Sequence, residues 1–435
     1  MLGRRLEYHS LKTVLLHMDA NVRFQISLHV PSIRSVEKVV PLKVRSLSMR
    51  DCATTVNETQ YAVSVHRQYP NAEKITWEMQ DGSEYDYDEF GFPLVSGVDV
   101  LLPGDVSFRQ EYETVRFDTE EDERRCIRAV RYYEDTMGAN PVFHAWCIEG
   151  LKHQLVPFEC RRNNTKRSFG CYIEMSITNC EDETEETEES EETEHIGHIQ
   201  RFEYNKKLFE ASKYLNTVLF GGRTVPIRVG EFTLVAMGIF RLPVGFRLQI
   251  QKTSPGGNGI THKSFPLMVE NAESLNCLEV DGWELHNNGY RCQIVRNARR
   301  LVINRYKFHE FPESLFEIIQ SLPNREICIL QKDQASLPEF YTTMIQSWLN
   351  GKRQVGASLW METEDDETGG KTANEVLRLV KIPYAGIEFT ESLTYVGNSI
   401  SACIILPRSN STRLEVRSVP FRDSSWIIKV NILSV

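Results

Sequence analysis

No stretch of about eighteen consecutive apolar residues occurs in this chain, so the sequence offers no transmembrane helix. The opening, MLGRRLEYHSLKTVLLHMDA, is charged and lacks the apolar core and small-residue cleavage site of a secretory signal. No CxxC pair is present, and the ten cysteines are scattered through 435 residues. That usage favours reduced thiols in a cytoplasmic or nuclear protein over a secreted disulfide framework. On this reading the glycosylation sequons at Asn57, Asn163 and Asn410 are chance matches.

The usual signatures of chemistry are also missing. GxGxxG and GxxxxGK[ST] do not occur, which leaves no Rossmann or P-loop phosphate cradle, and there is neither a GxSxG elbow nor an HExxH helix. Ser254-Pro-Gly-Gly-Asn-Gly is glycine-rich but reads as a hairpin loop, since no strand-to-helix setting surrounds it. Asp81, Glu84, Asp86 and Asp88 crowd an aromatic-acidic segment without the calcium-loop pattern and its distal Glu. His144, Cys147, His153, Cys160, Cys171, Cys180, His195 and His198 are zinc-type residues, but their spacing is too wide for a knuckle. The expectation is therefore a protein with no catalytic, cofactor or metal site.

Charge is deceptive here. Residues 181–194, EDETEETEESEETE, hold ten carboxylates and no Lys or Arg, and so account for the whole formal charge of −10. The remainder is formally neutral, which gives no basic field for nucleic acid, and the run itself reads as a disordered linker.

Composition is otherwise that of a globular protein, 41% hydrophobic and 25% charged, and the length suits two or three domains. Ser10 can cap a helix carrying Leu11, Val14, Leu15 and Met18 at helical spacing. Asp19-Ala20-Asn21 stops it and caps a second helix with Val22, Ile26 and Val30, which Pro31 ends. A third short turn follows Ser32, and Pro41 opens an extended segment. Thr54-Thr55-Val56 and residues 61–65 flank Asn57-Glu58 as a hairpin. Thr119 with Asp122 makes a capping box for a helix, and residues 140–180 read as irregular.

Residues 204–219 read as an amphipathic helix with Gly221 as a left-handed cap. Apolar strands then recur around Leu278, Leu301, Ile327 and Leu359, and the helices between them carry Ile319, Tyr341, Met344, Ile345 and Trp348. Strand–helix–strand spacing of this kind predicts a largely parallel sheet that resembles leucine-rich repeats without their consensus, with antiparallel strands added after residue 400. The fold class is α+β: a short helical N-terminal segment leads into a β-rich region, and repeating strand-helix units follow. The expected domains are 1–118, 119–199 with the acidic linker, and 200–435.

The N-terminal stretch carries Tyr8, Ser10-Leu11-Lys12, Val14-Leu15, Asn21, Arg23, Pro31-Ser32, Glu37-Lys38 and Pro41-Leu42. Further along come Tyr69-Pro70, Gly222-Arg223, Arg241-Leu242-Pro243 and Trp348-Leu349. In these residues the chain resembles a nematode-expanded family of unknown function, close to the worm F-box-associated proteins. The family supplies no catalytic residue to carry over. By analogy with F-box proteins, the expected role is a substrate-recruiting adaptor whose head grips a ubiquitin-ligase scaffold. Leu11, Val14, Leu15, Val22, Phe24 and Ile26 are then the candidate partner contacts. An enzyme with a site near 85–89 or at the strand ends, and a scaffolding protein, are the alternatives.

Overall fold

The structure is a computed structural model. It describes residues 8–69, 82–94, 100–108, 119–136, 141–180, 196–235, 238–254, 264–286, 289–305, 313–331, 338–351, 353–364, 371–381, 390–396, 399–409, 411–422 and 425–435. The acidic run, Asp81, His195 and the glycine-rich stretch after Ser254 lie outside the described residues. Among the described residues no helix is long and apolar enough to cross a membrane. Two compact units are present. One comprises Met1–Pro41, Ser48–Val225 and Ala236–Phe246, the other Leu42–Leu47, Pro226–Val235 and Arg247–Val435.

The first unit begins with helices Tyr8–His17, Ala20–His29 and Arg34–Val39. Asp19 caps the second, its carboxylate accepting from the Asn21 and Val22 amides. Strands Ala53–Val56 and Thr59–Gln68 form the hairpin that the sequence predicts, and Asn57 takes the left-handed φ of 54° that a tight turn needs. Asn21 ties the helical head to this hairpin. Its Nδ2 donates to Val56 O and Thr59 Oγ1, and its Oδ1 accepts from the Tyr61 hydroxyl, each at 3.0 Å.

Short helices cannot stand alone, and here they close on helix Leu208–Phe220. The Phe24 ring meets Tyr61 and Phe220 edge-on, with centroids 6.1 and 5.9 Å apart. Beside it a wholly buried Glu37 carboxylate lies between two guanidiniums, 2.8 Å from Arg23 and 2.8 Å from Arg223. Arg23 also donates to the carbonyls of Glu37, Val40 and Pro41, so one side chain fixes the chain from the third helix to its exit. Lys38 donates at 2.9 Å to Val218 O and Leu219 O, orphan carbonyls at the end of helix Leu208–Phe220. Burial, reinforced by the nearby Arg223 charge, pulls the Lys38 ammonium down to about 8.

Residues 140–180 differ from the sequence expectation. They form helix Pro141–Arg162 and strand Gly170–Asn179. Pro141 opens the helix, where its missing N–H costs nothing, whereas the internal Gly150 and Pro157 disguised it. The helix packs on Glu120–Asp135, which starts with the predicted Thr119–Asp122 capping box. Strand Gly170–Asn179 pairs antiparallel with Thr59–Gln68 along its whole length, then with Ile196–Glu203. The left-handed glycine also shifts by one: Gly221 has φ −64°, and Gly222 takes +74°.

The second unit is a mixed sheet with helices. Strands Ile227–Leu234, Leu248–Ser254, Cys277–Asp281, Arg300–Arg305, Glu326–Gln331 and Ser358–Glu364 are parallel neighbours in sequence order. Ser425–Ser434 then pairs antiparallel with Ser358–Glu364, followed outward by Thr412–Arg422, Ser399–Ser409 and Thr390–Val396. Helices Glu313–Ser321, Pro338–Asn350 and Lys371–Lys381 touch one another in turn and bury Ile319, Tyr341, Met344, Ile345, Trp348, Val376 and Val380. The class is α+β, as the sequence indicates.

Two measurements test the charge cluster. Glu37→Gln leaves two buried guanidiniums without their carboxylate and should cost about 3–5 kcal/mol in urea unfolding. Lys38 titrates at about 8 when folded against 10.5 when unfolded, so the unfolded chain holds the extra proton between those values. Wild type should therefore gain stability relative to Lys38→Met as pH rises from about 8 to about 10.5. A constant difference across that window would contradict the assignment.

Candidate functional site

The residues at the predicted partner-contact positions divide. Leu15 and Phe24 are buried in the core of their own unit, Leu11 and Ile26 are half-buried, and Val14 and Val22 are 44% and 42% exposed. Leu16, Leu28 and Val30 add to the exposed apolar surface of the head. Asp86 and Asp88 of the aromatic-acidic segment are committed to structure. Asp86 accepts from the Tyr204 hydroxyl at 2.5 Å and from the Leu208 amide at 3.0 Å, and Asp88 accepts from the Phe90 and Phe92 amides. Among the described residues no three His, Cys, Asp or Glu side chains are grouped to hold a metal ion.

The C-terminal sheet supplies a different surface. Side chains alternate along a strand, and parallel register aligns them into rungs across the sheet. One face carries Leu278, Leu301, Ile327, Leu359, Val430, Val416 and Ile404 in a single rung, every one fully buried. Val280, Ile303, Ile329, Met361 and Ile428 form the next. This is the dry face.

The other face is polar and part-exposed. Its first rung runs Glu231, Lys252, Cys277, Arg300, Glu326, Ser358, Asn431 and Glu415 across eight strands. Lys252 pairs with Glu231 at 3.3 Å, and Asn431 donates to Glu415 at 2.6 Å. The second rung runs Glu279, Val302, Cys328, Trp360, Lys429 and Arg417. Trp360 is its centre: the Lys429 ammonium lies 4.4 Å and the Arg300 guanidinium 5.0 Å from the ring centroid. Glu279 accepts from Asn304 at 2.6 Å.

Two polar atoms on this face, Asp281 Oδ1 and Trp360 Nε1, are buried with no hydrogen-bond partner among the described residues. Burial raises the Asp281 carboxyl above its usual range. It also pushes the Cys328 thiol up to about 11 and raises that of Cys277, so neither is a thiolate at neutral pH. The face can bind through an aromatic ring, cations and carboxylates held in fixed order, and its thiols are not set up as nucleophiles.

Sequence reasoning took these strands for short apolar runs and passed over the residues between. The signal was present, since Cys-Leu-Glu-Val-Asp, Arg-Leu-Val-Ile-Asn and Ser-Leu-Trp-Met-Glu each show apolar side chains two apart. Without register, nothing said that the intervening residues stand side by side.

Residues 207–365 match a family model described as a domain of unknown function (DUF3557). The match contains all six parallel strands, and with them most of the polar rungs. No curated protein and no solved structure matches the chain.

The Trp360 contacts are measurable. A double-mutant cycle of Arg300→Met and Trp360→Leu should return a coupling of about 0.5–1 kcal/mol in urea unfolding.

Proposed function

We propose that the protein is a non-catalytic protein-interaction adaptor whose partner-binding surface is the polar face of the C-terminal sheet. One observation supports this reading above the others: the sheet buries an unbroken aliphatic rung on one side and presents in-register Arg, Trp, Lys and Glu side chains on the other. Tryptophan and arginine are the residue types that carry most binding energy at protein interfaces. A fixed order of alternating charge selects a partner with the complementary order. The repeat-like reading belongs to the same proposal, because leucine-rich repeats also present the polar side of a parallel sheet to their ligands.

The adaptor version, of the F-box-associated kind, adds a second contact. A ubiquitin-ligase scaffold would meet the exposed part of the head, Val14 and Val22, while Leu15 and Phe24 hold that surface in place from beneath. The setting is cytoplasmic or nuclear, with neither nucleic acid nor membrane as a partner.

Affinity purification from native tissue tests both surfaces at once. Arg300→Glu with Lys429→Glu should strip one set of partners and leave a second. Val14→Asp with Val22→Asp should strip the second and spare the first. Identical partner sets from wild type and both variants would remove the proposal.

A further inference from the structure

Helix Pro141–Arg162 carries apolar side chains on all sides, among them Val142, Phe143, Ile148, Leu151, Leu155 and Val156. A helix of that kind belongs inside a protein, covered all round. Yet Ile148 is its one buried residue, and helix Glu120–Asp135, packed against it, buries only Asp122 and Cys126. The side that is covered meets Glu120–Asp135. There the Tyr133 and His144 ring centroids lie 5.3 Å apart, and the Cys126 thiol donates to Gln154 Oε1 at 3.4 Å.

The open side has an order of its own. Val142, Ala145, Glu149, Lys152, Val156 and Glu159 follow one another at alternating steps of three and four, the spacing of a coiled-coil seam, and all six are exposed. Val142 and Val156 are 83% and 39% exposed, and Trp146, which flanks the seam, is 72% exposed. Large apolar side chains left this open along one side of a helix mark an interaction surface.

The seam is also complementary to itself. Outward from the midpoint between Gly150 and Leu151 it places Glu149 opposite Lys152, Ala145 opposite Val156, and Val142 opposite Glu159. Turned end for end on a copy of itself, it sets carboxylate against ammonium at the centre and a small apolar side chain against a branched one on either side. A parallel copy would instead set Glu149 against Glu149. Neither central charge is spent inside the chain, because Glu149 and Lys152 make no ion pair among the described residues.

We propose that the protein forms a twofold homodimer in which the open sides of two Pro141–Arg162 helices pack antiparallel. Glu149 and Lys152 of each copy pair with Lys152 and Glu149 of the other. Ala145 packs against Val156, and Val142 against the methylene stem of Glu159. Trp146, on the same flank of the seam as His153, covers the His153 of the second copy. With its 22 residues the helix is about 33 Å long, which gives the seam room to run through both copies. The dimer surface shares no residue with the polar face of the sheet or with the head.

Sedimentation of the full chain tests the dimer, and charge reversal tests its register. Wild type at micromolar concentration should sediment at twice the 50.2 kDa of one chain. Glu149→Lys alone and Lys152→Glu alone each set like charges together at both central contacts and should weaken the dimer about tenfold. The double variant Glu149→Lys with Lys152→Glu restores opposite charges and should recover the wild-type affinity. An equimolar mixture of the two single variants should recover it as well, as a dimer of one with the other. The substitutions lie at exposed positions, and loss of folding would not be rescued by mixing. A wild type that stays at 50.2 kDa overturns the proposal and leaves the open side to a different protein. A dimer that both single reversals leave unchanged overturns it too, as does a double reversal that fails to recover.

Discussion

The C-terminal unit depends on one constraint: a parallel sheet built from successive strand–helix units must bury the face that the helices cover. Leu278, Leu301, Ile327 and Leu359 meet that demand in one straight rung, and Val430, Val416 and Ile404 extend it across the antiparallel strands. Each such side chain contributes about 1.5–3 kcal/mol relative to leaving it in water. Because the side-chain period is two, fixing this rung also fixes its opposite. A slip of one residue would send Arg300, Glu326 and Lys429 into the core, so the polar face is held in register by the cost of burying it.

The N-terminal unit is organised by charge as well as by apolar contact. Glu37 joins two guanidiniums drawn from distant parts of the sequence, Arg23 and Arg223. An ion cluster so fully buried gives little net stability over apolar packing, but losing one member is costly, which makes it a specifier of geometry. Here it specifies where the three short helices sit. The consequence for the surface of the head is direct. Leu15 and Phe24 are used up as core, and Val14 and Val22 stay on the surface of the head.

Much of this was legible in the residues. The Asp19 cap, the Thr119–Asp122 capping box, the Asn57 turn and the parallel strands of the C-terminal unit follow from local rules that act within a few positions. Helix Pro141–Arg162 was not legible, because its Gly150 and Pro157 signal a break that packing against Glu120–Asp135 overrides. The polar rungs escaped for another reason. Every member is unremarkable in its own strand, and only pairing across strands brings Cys277, Arg300, Glu326 and Ser358 into line.

The sequence by itself determined the class of fold, the start and stop of most elements, and which side chains in each strand must be apolar. These are short-range matters of capping, turn chemistry and periodicity. The tertiary structure alone decided which head residues remain on the surface, which charges meet at Glu37, and which polar side chains share one face of the C-terminal sheet. Those outcomes depend on contacts between residues tens to hundreds of positions apart, such as Lys38 with Val218, and no local pattern encodes such a meeting. A cavity beside Asn324 and Trp348 belongs to the second group, since its wall comes from residues 320–325 and 347–357, which meet only when strand and helix have packed.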